Sequence, residues 1–466
     1  MSASHPLSFS LQNHFPVGAG LPAAMRWRAM LAVVLGIGMS SLDTAIANTA
    51  LPAMARALNT TESRSIWVVS SYQLATVACL LPAAALGEIV GHRRVMLFGL
   101  VLFTLASLAC GLAPTLEWLV FARVLQGLGA AGVMSVNGAL LRFIFPDNLL
   151  GRGVGLNSLT VAVCFAAGPT AASLILSVAS WHWLFLINVP IGVVAMWYCL
   201  SAMPPTPRAT HRFDFWAALL AAGFLGLLVF ALNEGAQHLS VRAVVLSAAA
   251  ALGCLAVLLW RERGRPAPLL ALDLLRRPVF ALSAATSAGA FATQSLAFIA
   301  LPFLFQSQMG FTQVETGFLI TPWPVLVAIM APIAGRLSDR HSAGALAGLG
   351  LAMLAAGMVL LATMAPQPSV FDICWRMALC GAGFGFFQSP NVRALMTSAP
   401  AERSGGASGM VGTVRLLGQS TGAALVAACF QASTGTGAVL ALWLGAAFAA
   451  LAGVVSVLRL RYGRTG

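Results

Sequence analysis

The chain has 466 residues, of which 59% are hydrophobic and only 8% carry a charge. Soluble proteins carry about 25% charged residues, so this composition excludes an ordinary soluble domain and predicts an integral membrane protein with many helical spans. All 26 basic residues are Arg, and the absence of Lys excludes a Walker A phosphate loop and a lysine Schiff base, which disfavours ATP-driven transport by this chain alone.

Residues 1–24 form a Pro- and His-containing stretch without the basic n-region of a signal peptide, and we expect a disordered cytoplasmic tail. Fourteen apolar runs of about 18 to 25 residues follow it. Lipid offers no partner to a free backbone N–H or C=O, so each run is predicted to be a helix. The predicted spans are 29–50, 66–87, 95–113, 116–140, 153–177, 182–202, 215–233, 242–260, 280–304, 314–335, 343–365, 370–390, 406–430 and 437–458.

The Arg residues outside the spans are distributed very unequally between the two sides of the membrane. An even number of spans places both termini on one side, and twenty Arg residues fall on that side. The opposite side carries only Arg56, Arg64 and Arg242. By the positive-inside rule, both termini are predicted to lie in the cytoplasm. The same asymmetry accounts for the net charge of +13 without a nucleic-acid partner.

Two long loops rich in Arg and Pro divide the chain. They predict a six-helix bundle at 25–202, a linker with an inserted two-helix hairpin at 203–278, and a second six-helix bundle at 279–466. The two bundles look related, since Arg123 in span four and Arg376 in span twelve are each followed by a glycine-rich stretch. An internal duplication of six spans is typical of a secondary transporter whose bundles move around a central site.

The sequence contains no motif that indicates a metal site or a bound cofactor. The eight Cys show no CxxC spacing, and the seven His show no HxxxH spacing. A multi-pass membrane enzyme or sensor would need a paired acid and base, metal ligands or a sizeable soluble domain, and none is visible. We therefore predict no cofactor, no metal and no enzymatic activity.

Asp43 is the only acid that we place well inside a predicted span. If the first helix begins near Ala29, Asp43 lies about 20 Å along it, close to the middle of the bilayer. A carboxylate at that depth is costly, so it is either satisfied structurally by neighbouring helices or serves as a proton or cation site. Arg123 is its natural counter-charge, and Gln126 and Gly127 share a helical face with that Arg.

Four segments carry a resemblance to a known family. Residues 42–52, LDTAIANTALP, resemble the first-helix motif LDxTIVNVALP, and residues 123–129, RVLQGLG, resemble RxxQGxG. Gly168 and Pro169 resemble the start of the antiporter motif GPxxGG, and residues 181–192, WHWLFLINVPIG, resemble WRWIFLINVPIG. Together they are similar to the fourteen-helix drug:proton antiporter branch of the major facilitator superfamily. This resemblance implies two six-helix bundles plus a two-helix insert, with Asp43 in proton coupling.

A conformational latch is predicted at the cytoplasmic loops after spans two and ten. These loops resemble the family motif GxLADRxGRRR, although Glu88 stands where the motif has Asp. The latch residues are Glu88, Arg93, Arg94, Asp339 and Arg340.

Substrate contacts are expected from polar, aromatic or charged residues within the spans. Aromatic rings beside one carboxylate suit a hydrophobic cation, although each Phe equally suits a lipid-facing or helix-packing position. The predicted substrate residues are Gln73, Gln126, Asn157, Gln294, Phe291, Phe298, Trp323, Phe384, Phe387, Gln388 and Arg415.

The sequence thus predicts a monomeric antiporter that exchanges protons for lipophilic, cationic drugs or toxic compounds across the cytoplasmic (inner) membrane, with antibiotic resistance as a consequence. Asp43 and Arg123 are its predicted coupling pair. The alternative is a major-facilitator transporter dedicated to a single metabolite, because a fold does not determine its substrate.

Overall fold

The computed structural model describes residues 20–146, 149–203, 206, 213–236, 241–263, 272–338, 340–399, 404–433 and 435–461. These ranges are almost wholly helical and contain no strand. Most of the predicted tail and parts of the two long loops fall outside them. The α-helices are α1 (Ala23–Ala57), α2 (Glu62–Ser65), α3 (Trp67–Val90), α4 (His92–Gly111), α5 (Leu116–Ile144), α6 (Leu150–Val178), α7 (Trp183–Leu186), α8 (Asn188–Ala202), α9 (Phe215–Ala236), α10 (Val241–Arg261), α11 (Pro278–Phe303), α12 (Gln313–Ile320), α13 (Pro322–Leu337), α14 (Ala343–Ala362), α15 (Val370–Ser398), α16 (Ser404–Ala432) and α17 (Gly437–Leu458).

The predicted all-α membrane fold is confirmed. A single residue interrupts each of the pairs α2/α3, α7/α8 and α12/α13, so the described helices form fourteen segments of membrane-spanning length. Thirteen of them are long and apolar enough to cross a membrane. The fourteenth is α16, a helix of 29 residues whose hydropathy is reduced by Arg415 and Gln419.

Several helices extend well beyond the apolar runs that predicted them. Helix α1 has 35 residues and therefore measures about 52 Å, whereas the hydrocarbon core of a bilayer is about 30 Å thick. Its polar ends are as helical as its centre. Hydropathy identifies the part of a helix inside lipid, so the predicted spans are correct in position and short at their ends.

Helix packing repeats between the first and the last third of the chain. Helix α5 packs between α3 and α4, and α15 packs in the same way between α13 and α14. Helices α9 and α10 pack against each other, and α9 also contacts α3 and α16. This arrangement supports the proposed division into bundles at 25–202 and 279–466 with a hairpin insert between them.

Two close glycine contacts show which residues of the first bundle correspond to which residues of the second. A Cβ on Gly127 would lie 2.4 Å from the carbonyl oxygen of Tyr72, and a Cβ on Gly381 would lie 2.1 Å from that of Trp323. Each glycine thus lets its helix approach a neighbouring backbone directly. Met377, which precedes Gly381 by the same four positions as Arg123 precedes Gly127, is the equivalent residue.

The predicted correspondence between Arg123 and Arg376 is therefore wrong by one position. One residue turns the side chain by about 100° around the helix, which directs Arg376 away from the place of Arg123. Arg376 instead bonds Asp372 through Nε at 3.0 Å and Nη2 at 2.9 Å, near the start of α15. Met377 is fully buried among apolar side chains.

A mixed apolar cluster joins the two halves at the end opposite the chain termini. Leu51 and Met54 of α1 pack there with Phe303 of α11 and Phe430 of α16. The rings of Phe303 and Phe430 meet edge to face with their centroids 5.0 Å apart. Towards the termini, two clusters each stay within one half, and a third joins α3, α9 and α16. The halves are thus sealed together by apolar contacts at the far end.

A buried ion pair beside a central cavity

Asp43 and Arg123 form an ion pair in the interior of the first half. Both are buried, with 1% and 0% of the side chain exposed. Arg123 Nη1 donates to Asp43 Oδ2, which joins α1 to α5. The other carboxylate oxygen, Oδ1, accepts from Gln126 Nε2 at 2.8 Å and from Asn188 Nδ2 at 3.1 Å. Three donors from α5 and α8 therefore satisfy the carboxylate in its charged form.

The Arg123 guanidinium is held from several directions. Its Nε donates to the carbonyl oxygen of Val68 at 2.9 Å, and its Nη1 also donates to Gln126 Oε1 at 2.6 Å. The ring of Tyr72 lies 4.2 Å from the guanidinium carbon, within range of a cation–π contact. The centroid of the Phe185 ring lies 5.6 Å from the same guanidinium carbon. One cation thus ties α1, α3 and α5 together.

Gln126 extends this network to α4. Its Nε2 donates to Ser107 Oγ at 2.8 Å, and Cys110 Sγ approaches its Oε1 at 3.6 Å, both from α4. The sequence predicted Gln126 as a substrate contact. The structure places its side chain, fully buried, among the partners of Asp43 and outside the cavity wall.

A cavity of about 680 Å³ lies between the two halves. This volume is typical of sites for small organic molecules. Its wall is built by α1, α3, α5 and α6 from the first half and by α11, α13, α15 and α16 from the second. The predicted substrate residues that line it are Gln73, Phe291, Gln294, Phe298, Phe384, Gln388 and Arg415.

The cavity extends towards the end of the molecule that carries the termini. Its wall includes Gly155, early in α6, and Arg393, late in α15, both in the halves of these helices nearer that end. Leu51 and Met54 of the first half and Phe303 and Phe430 of the second, at the far end, do not line it and belong to one apolar cluster shared by both halves. The structure is therefore a conformation whose central cavity faces the termini.

Three further predicted substrate residues lie outside the described cavity wall. The Asn157 Oδ1 accepts from Asn137 Nδ2 at 3.1 Å, between α6 and α5. Trp323 is fully buried and meets Phe298 edge to face, with centroids 5.3 Å apart. Phe387 is buried against Phe384. Asn157 thus joins two helices, and the two aromatic rings support residues that line the cavity.

Asp43 does not line the cavity, although its neighbours do. Ser40, Ser41 and Thr44 on α1 form part of the wall. Tyr72 both lines the cavity and packs on the Arg123 guanidinium, so one aromatic ring separates the cavity from the ion pair. In this conformation, a molecule in the cavity touches Tyr72 and not the carboxylate.

Several members of the site were missed from the sequence. Tyr72 and Gln419 are single polar residues within apolar spans, the same signal that identified Gln73 and Gln294. Asn188 stands inside the motif segment 181–192, where its short side chain gave no separate indication. A helical wheel centred on Asp43 would have placed Ser40 one turn before it.

The predicted antiporter motif in α6 lies at a contact between the halves. A Cβ on Gly168 would lie 2.4 Å from the Cβ of Ala45 on α1. A Cβ on Gly317 of α12 would lie 2.5 Å from the carbonyl oxygen of Pro169. The Gly168–Pro169 segment thus permits α6 to approach both α1 and α12, which are on different halves.

The predicted latch is only partly visible. Arg93 Nη2 donates to the carbonyl oxygen of Leu200 at 2.7 Å, within the first half. Glu88, Arg94 and Arg340 are exposed. Asp339 lies outside the described residues. The latch role of these five residues remains a prediction.

Within the described residues, no group of three or more His, Cys, Asp or Glu side chains is arranged to hold a metal ion. The eight Cys are free thiols.

Comparison with known proteins places the chain in one family. The model of the Major Facilitator Superfamily matches residues 33–423. The chain is 48% identical to the uncharacterized transporter YebQ of Escherichia coli (strain K12), over 96% of this chain and 98% of that protein. It is 35% identical to the multidrug resistance protein Stp of Mycobacterium tuberculosis (strain CDC 1551 / Oshkosh), over 90% of this chain and 76% of Stp.

Two more distant similarities complete the comparison. The chain is 26% identical to the riboflavin transporter RibZ of Clostridioides difficile (strain 630), over 88% of this chain and 89% of RibZ. Its fold matches the crystal structure of a peptide transporter, POT, in complex with sulfate, with a TM-score of 0.72, 13% identity and coverage of 96% and 98%. The duplicated helical fold, with a cavity between its halves, agrees with these matches. The matching family model and the similar transporters show that this chain is a multi-pass membrane transporter of the major facilitator superfamily, not an enzyme.

Proposed function

We propose that this protein is a proton-coupled antiporter that exports lipophilic small molecules from the cytoplasm across a bacterial inner membrane. The observation that carries the proposal is the buried Asp43–Arg123 pair, one aromatic ring away from a cavity of about 680 Å³. A titratable ion pair inside a transporter is a two-state element, because one proton on the carboxylate removes the attraction that holds the helices.

The described conformation corresponds to substrate loading. The cavity faces the termini, which the distribution of Arg assigns to the cytoplasm. In this state Asp43 is deprotonated and holds α1 against α5. When the opposite face opens, a proton from outside neutralises Asp43 and releases Arg123. Return to the inward-facing state re-forms the pair and delivers that proton to the cytoplasm.

Coupling in this scheme is indirect. Proton and substrate do not compete for one carboxylate, because the cavity wall contains Tyr72 and Thr44 but not Asp43. Occupation of the cavity acts on the pair through the Tyr72 ring and through α1. One proton supplies about 1.4 kcal/mol per pH unit. Each net charge moved per cycle adds about 2.3 kcal/mol per 100 mV.

The name of Stp supports export of several drugs, and the name of RibZ supports a second candidate, transport of one metabolite. Four Phe rings in the wall, Phe165, Phe291, Phe298 and Phe384, accommodate planar aromatic molecules under either assignment. The sequence also predicted a cationic substrate. That prediction depended on contact with Asp43, which the inward-facing cavity does not offer.

The proposal is tested by the change in bound protons when substrate is added to purified protein. Addition of rhodamine 123, fluorescein or riboflavin to weakly buffered protein should change the number of bound protons when the dye binds. We expect the change to disappear in Asp43→Asn and to persist in Asp372→Asn, whose acid belongs to a peripheral pair with Arg376. An equal change in bound protons in wild type and Asp43→Asn would assign coupling to another group.

A further inference from the structure

Among the described residues, the charged side chains of the cavity wall are all basic. Its charged residues are Arg393, at the open end, and Arg415, near the middle of α16. No Asp or Glu lines the cavity among the described residues. The nearby acid, Asp43, is buried and already bonded to Arg123, Gln126 and Asn188. The pair adds no net charge, so no acid among the described residues of the cavity wall offsets the charge of Arg415.

Arg415 is half-buried and, unlike Arg123, has no partner among the described residues. No hydrogen bond or ion pair joins it to a described residue, and its Nε is buried without an acceptor. Arg123, by contrast, has Asp43, and Arg376 has Asp372. A guanidinium stays charged at every physiological pH, and a charge that is partly withdrawn from water without a counter-ion is unfavourable. A ligand with an anionic group would remove that penalty.

Other polar groups line the same part of the cavity, and one of them has a buried atom without a partner. Gln419 follows Arg415 by one helical turn on the same face of α16 and also lines the wall. Gln73 and Gln294 line it from α3 and α11, and the Gln73 Oε1 is buried without a partner. One charged fork and three amides can hold a carboxylate, sulfonate or phosphate together with adjacent polar atoms.

Apolar aromatic surface completes the site. Phe291 and Phe384 meet edge to face at 5.3 Å, and Phe298 lines the same side of the cavity. These rings present faces and edges to a planar ligand. The wall therefore combines a stacking surface with one fixed cation.

We propose that the substrate class is aromatic compounds bearing an anionic group, with Arg415 as the residue that binds this group. The inference rests on the proposed export function and reverses the charge that the sequence alone predicted. It also has an energetic consequence. Export of a monoanion against entry of one proton moves two charges per cycle, so the membrane potential should drive transport more strongly than for a cation, whose exchange moves none.

Two dyes that share the xanthene scaffold provide the binding test, since fluorescein is anionic and rhodamine 123 is cationic at neutral pH. Binding is measured by fluorescence polarisation on full-length protein in nanodiscs. We expect wild type to bind fluorescein about tenfold more tightly than rhodamine 123, the difference expected for one charge-assisted contact. Arg415→Gln should weaken fluorescein binding by about the same factor and leave rhodamine 123 unchanged or tighter.

Two variants control for charge and folding. Arg415→Lys keeps the cation and should retain most of the preference for fluorescein. Arg28→Gln removes an Arg from the exposed first turns of α1 and should behave as wild type. Tighter binding of rhodamine 123 by wild type, or an equal loss of both dyes in Arg415→Gln, would overturn the inference and mark Arg415 as structural.

The binding test is independent of proton coupling. Asp43→Asn is expected to keep the preference for fluorescein, because Asp43 does not line the cavity. If the dye preference fails while the Asp43-dependent change in bound protons persists, the substrate class is wrong and the antiport proposal stands. If the preference holds and the change in bound protons is independent of Asp43, the site assignment stands and the coupling proposal fails.

Discussion

At the scale of single residues, two arginines near the cavity differ in character: Arg123 is buried, whereas Arg415 is half-buried in the cavity wall. Arg123 is neutralised by Asp43 and also donates to Val68 and Gln126, whereas Arg415 has no described partner. The first arrangement suits a switch, since one proton breaks it. The second suits a binding site, since a ligand completes it. The two functions are thus assigned to different cations, with the Tyr72 ring between the first and the cavity.

Asp43→Asn should destabilise the protein, because it leaves the buried Arg123 charge without a counter-ion. Breaking a buried pair on one side costs about 3–5 kcal/mol. Thermal unfolding should show a clearly lower Tm for Asp43→Asn. The double variant Asp43→Asn/Arg123→Met should recover much of the lost Tm, because Met377 occupies the equivalent position in the second half.

The stability control is Asp372→Asn, which breaks a partly exposed pair one helical turn apart. Such pairs contribute about 0.3–0.5 kcal/mol, so Tm should barely change. A Tm for Asp43→Asn as high as that of this control would contradict a tightly coupled buried pair.

Tyr72 should act as the mechanical link between substrate and proton. Tyr72→Phe keeps the ring on the guanidinium and should retain substrate-dependent proton movement. Tyr72→Ala removes the ring, opens Arg123 to the cavity and should allow proton leak without substrate. Dissipation of an imposed pH gradient in proteoliposomes measures the leak. Equal leak rates in the Phe and Ala variants would remove Tyr72 from the coupling path.

At the scale of helices, glycines determine where the site's supports can lie. Gly127 allows α5 to touch the backbone of α3, one turn from Arg123, and so brings the Val68 carbonyl within reach of the Arg123 Nε. The same contact recurs at Gly381 in the second half. Close helix packing through small residues is a general device in membranes, and here it aligns an ion pair.

Gly127→Ala should lower both stability and transport, because its Cβ would lie 2.4 Å from a backbone oxygen that cannot rotate away. Gly138→Ala, on the same helix, is the matched control, since nothing lies within 4 Å of its added Cβ. Folded yield by size-exclusion chromatography and dye transport should fall only in the first variant. Matching losses in both would show that helix α5 tolerates no alanine for reasons other than this contact.

At the scale of the whole molecule, closure of the far end keeps the cavity open towards the termini. Gly317 of α12 contributes to this closure, because its Cβ would overlap Ser173 Oγ, at 2.1 Å, and the Pro169 carbonyl oxygen of α6. A bulky residue there should separate the halves at the far end and favour the opposite conformation. The equilibrium between the two states can thus be changed without altering the cavity wall.

Gly317→Leu should slow the labelling of Ser389→Cys, a position in the cavity wall, by a membrane-impermeant maleimide added from the termini side. The experiment uses a cysteine-free background in inside-out vesicles. Gly253→Leu, on α10 with no atom within 4 Å of its added Cβ, should label at the unmodified rate. Labelling of Gly317→Leu as fast as this control would argue against a far-end gate at α6 and α12.

The sequence predicted the helices, the Asp43–Arg123 pair and a third of the cavity's polar residues, because each depends on polarity within an apolar run. It did not predict which way a side chain points. Trp323 and Phe387 support residues of the cavity wall from behind, and Asn157 bonds Asn137, since their directions depend on helix rotation and packing. The charge of the cavity was not predicted from the sequence either, because it depends on the ion pair that Asp43 forms with Arg123.

The most direct test of the central claim is dye uptake by inside-out membrane vesicles energised with an acidic interior. Wild type and Asp372→Asn should accumulate fluorescein or rhodamine 123 in proportion to the pH gradient, measured as dye retained after filtration. Asp43→Asn should lose this gradient-driven accumulation and still exchange dye across the membrane at equal pH. Accumulation by Asp43→Asn with the pH dependence of wild type would contradict the assignment of Asp43 as the coupling carboxylate.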